Sequence, residues 1–148
     1  MASTSPATAR TRTRIQTAAL AVGAVFVLVG ILGFIPGITT DYDTMSFAGH
    51  HSEAKLLGIF QVSILHNIVH LLFGAAAFAL ARTVSGARMY LIAGGAIYLV
   101  LWLYGLIVGN DSSANFVPVN TADDWLHLFL GLGMIGLGLA LSPKAIRR

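Results

Sequence analysis

The chain has 148 residues, of which 56% are hydrophobic and 10% charged, with no cysteine and a formal net charge of +3. A soluble domain carries about 25% charged residues, so this composition would leave a water-facing surface of bare apolar area. Disorder, collagen-like repeats, a disulfide-bonded secreted scaffold and thiol chemistry are excluded by the same figures, and the expected solvent is lipid.

A transmembrane helix needs roughly 20 apolar residues. Four stretches qualify and are predicted as spans at 15–35, 56–81, 89–109 and 123–141. The expected fold is therefore all-α, a four-helix transmembrane bundle. Residues 1–14 read as a disordered basic cytoplasmic tail, 15–142 as the membrane domain and 143–148 as a second basic tail. Pro36, Pro118 and Pro143 stand where a helix or its connection should stop, because proline removes a backbone donor that hydrocarbon cannot replace. Arg10, Arg12 and Arg14 give the first stretch the flank of a signal peptide. The long apolar run after them has no small-residue cleavage site, so it reads as a retained helix.

Orientation follows from charge. Arg10, Arg12, Arg14, Arg82, Arg88, Lys144, Arg147 and Arg148 fall on one side of the four predicted spans, and Lys55 alone falls opposite. Asp41, Asp43, Glu53, Asp111, Asp123 and Asp124 all share the side of Lys55. The positive-inside rule then predicts a multi-pass plasma-membrane protein with both termini and the 82–88 link in the cytoplasm. Basic residues scattered at membrane ends suit lipid headgroups and form no nucleic-acid stripe. The expected partners are the lipid bilayer, other membrane proteins or a second copy of the chain, and not nucleic acid.

The stretches are related in pairs. Ala21-Val22-Gly23-Ala24 followed by Gly33 and Gly37 recurs 72 residues later as Ala93-Gly94-Gly95-Ala96 followed by Gly105 and Gly109. Ser63, Asn67, His70, Leu71 and Gly74 recur 57 residues later as Asn120, Asp124, His127, Leu128 and Gly131. Two tandem helical hairpins are expected, entering the membrane with the same polarity and related by a pseudo-two-fold axis along its normal. Gly23, Gly33, Gly37, Gly105 and Gly109, with Gly74 and Gly131, read as packing glycines that let helices approach closely.

The paired N/D-x-x-H-L-x-x-G motifs on alternate helices resemble an uncharacterised bacterial membrane family, domain-of-unknown-function family 4383. The resemblance implies a four-helix membrane fold and carries no assigned activity or ligand. The second copy has Asp124 where the first has Asn67, which breaks the symmetry.

At 100° per residue, Ser63, His66, Asn67, His70 and Gly74 share one face of the second helix, and Asn120, Asp124, His127 and Gly131 share one face of the fourth. Polar groups in hydrocarbon turn toward protein or a water-filled cavity, so the two stripes should meet in a seam. Three readings compete. The seam is structural, hydrogen-bonding across helices to set their register. Or it is a ligand site or proton path, with Asp124 hydrated at the outer mouth. Or it holds a cofactor, haem on His70 and His127 or a divalent metal among His66, His70, His127 and Asp124. The sequence favours the first and assigns no catalytic residue and no cofactor. The expected function is a non-enzymatic scaffold or accessory protein, with a small hydrophobic or lipid-like ligand as its candidate cargo. The alternative is a haem- or metal-binding redox or electron-transfer protein.

Asp124, beside Asp123 at the start of the fourth helix, also reads as a helix-dipole and capping acid. Gly131-x-Gly133-x-x-Gly136 matches a dinucleotide fingerprint in letters only, since no strand precedes it. Asn110-Asp111-Ser112 fits a glycosylation sequon. The first outer loop, with Asp41, Asp43, His50, His51 and Glu53, reads as solvated in preference to metal-binding. Trp125 and Tyr90 read as interfacial anchors. Ser63 beside His66 lacks the orienting group and oxyanion donors of a hydrolase.

Overall fold

A computed structural model describes residues 11–109 and 112–142. The terminal tails, with Arg10, Lys144, Arg147 and Arg148, and most of the sequon, with Asp111, lie outside the described residues. Among these the chain forms four α-helices, α1 (Arg14–Leu32), α2 (Ile64–Leu80), α3 (Val84–Val108) and α4 (Thr121–Ala140). It also forms three two-residue strands, β1 (Thr39–Thr40), β2 (Lys55–Leu56) and β3 (Phe60–Gln61). By length and composition α1 and α3 are able to cross a membrane, and α2 is a shorter apolar helix.

Local chemistry sets the boundaries. Gln16 accepts from the Thr13 backbone at the start of α1, and its amide donates to the Ala81 and Arg82 carbonyls at 2.9 and 3.1 Å. One side chain thus ties the beginning of α1 to the end of α2. Ser63 caps α2 by accepting from the His66 amide at 3.1 Å, Thr83 caps α3 through Gly86, and Asn120 caps α4 through Asp123. Ser63 and Asn120 are therefore caps at the head of each polar stripe, outside the helices themselves.

The predicted second span is shorter than 56–81, because Lys55–Gln61 turns back on itself. Leu57 and Gly58 adopt left-handed backbone, φ 56° and 71°, and set β2 antiparallel to β3 with Leu56 opposite Phe60. The apolar run that reads as membrane helix is instead a hairpin. β1 pairs with β2, so the fold carries a small sheet beside its helices and is not strictly all-α. α1 ends at Leu32, short of residue 35, with Pro36 beyond it. α3 begins at Val84, ahead of residue 89, so Arg88 lies on a helix and the link between α2 and α3 shrinks to three residues.

In the loop between α1 and α2 the side chains of Asp41, Asp43, His51 and Glu53 are exposed, in keeping with a solvated loop, while apolar residues between and after them pack together. Ala54, Leu56 and Val62 are buried with Val29, Leu32, Ile38, Met45 and Phe60 packed around them. The buried Ser52 hydroxyl donates to the Val62 carbonyl at 2.6 Å. The Gly49 amide reaches the Phe116 carbonyl at 2.7 Å and the Asn120 amide group reaches Ile59 at 2.8 Å, which joins this loop to the one before α4.

α1 lies along α2 and α3 along α4, while α3 also touches α1 and α2. Bare backbone makes these approaches close. A Cβ on Gly74 would stand 2.7 Å from the Gly23 carbonyl, and one on Gly95 would stand 2.7 Å from the Gly131 carbonyl. Gly37 and Gly109 depart from the packing role expected of them. Both lie beyond their helices with φ 91° and 72° and open space around them, so they turn the chain.

A buried histidine and carboxylate seam

Two of the close approaches are made against polar side chains. A Cβ on Gly33 would overlap the Asn67 amide, and a Cβ on Gly105 would overlap the Asp124 carboxyl group. Asn67 is completely buried and Asp124 is 7% exposed. Asp124 therefore packs against α3. The capping role belongs to its neighbour. Asp123 accepts from the backbone of Asn120 and from that of Gln61, each at 3.0 Å, and so holds the helix start and the end of the hairpin together. The sequence pointed at the adjacent carboxylate, and only the Asn120-to-Asp123 spacing of a capping box distinguishes the two.

Three imidazoles form the centre. His66, His70 and His127 are all buried. Ring centroids of His66 and His70 are 4.6 Å apart, and those of His66 and His127 6.4 Å apart. Among the described residues the stripes of α2 and α4 approach at one ring pair, His66 and His127, while Asn67 and Asp124 face Gly33 and Gly105 within their own hairpins. The His66 ring also faces the Gln61 and Pro118 backbone. Aromatic side chains from the other two helices close the sides, with Phe26 5.8 Å from His70, Tyr98 5.2 Å from His127, and Phe26 stacked on Tyr98 at 5.2 Å.

The polar atoms of this seam are not paired with one another. His66 Nδ1, His70 Nδ1, His127 Nδ1, Asn67 Oδ1 and Asp124 Oδ1 are buried without a hydrogen-bond partner. Asn67 Nδ2 has a weak contact, 3.9 Å to the Met45 sulfur. Tyr90 is buried at 4% exposure against Phe73, with its hydroxyl also unpartnered, and does not sit at the surface as an anchor. Trp125 is 57% exposed. Among the described residues no three His, Asp or Glu side chains are grouped as a metal site, in the seam or in the outer loop where His50 and His51 adjoin. The Gly131-x-Gly133-x-x-Gly136 run lies inside α4, with no strand leading into it.

These features define a mostly helical protein with apolar helices long enough to cross a membrane and a polar, histidine-rich interior. The model of the family described as Domain of unknown function (DUF4383) matches residues 16–140, and the chain belongs to that family. No curated protein and no solved structure matches it.

Proposed function

We propose that the chain spans the plasma membrane four times as two tandem hairpins, with both termini in the cytoplasm. We further propose that it acts without catalysis, as an accessory or scaffold protein whose seam receives the polar head of a small lipid-like ligand. The spanning arrangement is supported by a surface and interior of inverted polarity. Leu28, Leu72, Val100, Ile107, Phe129 and Leu139 point outward at 54–82% exposure, while His66, His70, His127, Asn67 and Asp124 point inward. The tandem arrangement is supported by contacts that recur at the 72 and 57 offsets. Gly33 against Asn67 matches Gly105 against Asp124, and Phe26 against His70 matches Tyr98 against His127.

The observation that carries the ligand reading is the set of buried, unpartnered nitrogen and oxygen atoms in the seam. Each such group in hydrocarbon costs several kcal/mol. A seam serving only to hold helices would spend those groups on bonds between helices. Among the described residues none joins a seam side chain of α2 to one of α4. A headgroup bearing donors and acceptors would supply partners to those of these atoms it reaches, and the apolar remainder of the ligand would suit the surrounding bilayer.

The test is organic extraction and mass spectrometry of detergent-purified protein, comparing wild type with His70→Phe and His127→Phe. These changes keep a ring against Phe26 and Tyr98, so the fold persists, which thermal melting verifies. A small molecule recovered near one equivalent from wild type and lost from both variants is expected. Equal recovery from all three overturns the reading. The redox alternative, haem or a metal ion held by His70 and His127, is read from the same samples. A Soret band or stoichiometric metal that disappears with either histidine would replace the lipid-like ligand.

A further inference from the structure

At the end of the molecule opposite the seam's caps, a cleft of about 800 Å³ opens between the start of α1, the end of α2 and the start of α3. Arg12, Arg82 and Arg88 line it, with the hydroxyl groups of Thr and Ser residues and no acidic side chain. The described acids, Asp41, Asp43, Glu53, Asp123 and Asp124, all belong to the outer loops or the head of α4. Three arginines therefore line one concave site whose described walls hold no carboxylate.

The site is built as well as charged. Arg88 Nε donates to the Ser142 hydroxyl at 2.8 Å, which itself donates to the Gly138 carbonyl, so the residue just past the end of α4 holds the Arg88 side chain. Arg82 sits in the three-residue link that Gln16 clamps through the Ala81 and Arg82 carbonyls. Gly86 keeps this link tight, since a Cβ there would overlap the Leu80 carbonyl. The amino-terminal ends of α1 and α3 add positive potential beside the arginines. Apolar side chains complete the wall. Leu20 and Phe78 line the cleft, and Phe78 is 46% exposed on the outward face of α2.

We propose that this cleft binds a phosphate group, and specifically the headgroup of an anionic phospholipid, with its glycerol and upper acyl chain along Leu20 and Phe78. Guanidinium suits the recognition because its planar fork donates two parallel hydrogen bonds to phosphate oxygens. The site is separate from the histidine seam and stands whether or not the seam holds a ligand.

The experiment measures thermal stability and lipid retention of the detergent-purified full chain. The additives are phosphatidylglycerol, phosphatidylcholine and inorganic phosphate, each also applied to the Arg12→Gln/Arg82→Gln/Arg88→Gln variant and to Lys55→Gln. Phosphatidylglycerol is expected to raise the melting temperature and to survive into native mass spectra. The triple variant should weaken that binding by about a hundredfold, while Lys55→Gln, at the opposite end, retains it. Equal melting of wild type and triple variant in phosphatidylcholine shows that the variant folds. A shift from inorganic phosphate as large as that from phosphatidylglycerol, and lost in the triple variant, keeps the phosphate chemistry and overturns the lipid assignment. Retention of the phosphatidylglycerol shift in the triple variant, or equal shifts from both lipids, overturns the proposal.

Discussion

The α1–α2 and α3–α4 hairpins put different chemistry on matching geometry. In the first, Gly33 makes room for the neutral amide of Asn67 and Phe26 packs on His70. In the second, Gly105 makes room for the acid of Asp124 and the phenol Tyr98 packs on His127. The heads of α2 and α4 differ in the same sense, with His66 one turn after the Ser63 cap and Asp123 one turn after the Asn120 cap. A glycine opposite a buried polar group fixes the space for that group and leaves its charge free to vary. The first hairpin is neutral there and the second acidic, so a molecule held between them meets two unlike walls.

That comparison is broken most forcefully at the two glycines. Gly105→Ala drives a methyl group into the Asp124 carboxyl and should lower stability by about 3 kcal/mol, and Gly33→Ala should do the same against Asn67. Removing the obstructing group should restore most of the loss, in Gly105→Ala/Asp124→Ala and in Gly33→Ala/Asn67→Ala, giving coupling energies of about 1–3 kcal/mol. Thermal melting in detergent measures each cycle. The hairpins should separate in the single variants. In delipidated protein, Asp124→Ala removes a buried oxygen without a protein partner and should gain about 1 kcal/mol, whereas Asn67→Ala also surrenders the contact to Met45 and should change little. Additive cycles would show that the glycines face something other than these side chains.

A smaller effect sharpens the contrast between the two caps. Ser63 supplies one acceptor to one amide, but Asp123 accepts from two backbone amides, one of them across the hairpin at Gln61. Ser63→Ala should cost about 1 kcal/mol and Asp123→Ala about twice that. Hydrogen exchange at the Gln61 amide should rise in the second variant and not in the first. Equal losses with unchanged exchange at Gln61 would detach Asp123 from the hairpin.

Much of this was legible in the residues, and the misreadings share a cause. The apolar stretches, the polar faces of α2 and α4 and the contact glycines follow from period and side-chain size, which act over a few turns of helix. Leu56 to Phe60 reads as helix because hydropathy ignores backbone sign, and the left-handed pair Leu57 and Gly58 is visible only in its dihedral angles. Gly37 and Gly109 carry the spacing of packing residues yet fall past the helix ends, where the same absent side chain serves a turn. Tyr90 is placed at the membrane edge by its number along the chain, but packing on Phe73 draws it inward. Of the two stripes expected to face each other, Asn67 and Asp124 turn to glycines of their own hairpins, and the approach falls to the His66 and His127 rings. Their lack of mutual hydrogen bonds depends on ring orientation, which no spacing encodes.

The smallest effect reverses sign within one motif. Gly131 faces Leu99 and the Gly95 carbonyl, with 2.7–2.9 Å left for a Cβ, whereas Gly133 and Gly136 on the same helix have open space around theirs. Alanine at Gly133 or Gly136 meets no obstacle and restricts the unfolded backbone, so each should raise stability by up to about 1 kcal/mol. Gly131→Ala should lower it, because Leu99 is free to swing aside but the carbonyl of α3 is not. Melting curves of the three single variants read the signs directly. If all three lost stability together, the glycines would act as one unit in contact with something else. A loss at Gly131 alone assigns the run to packing of α4 on α3, the contact that in the first hairpin falls to Gly74 against Gly23.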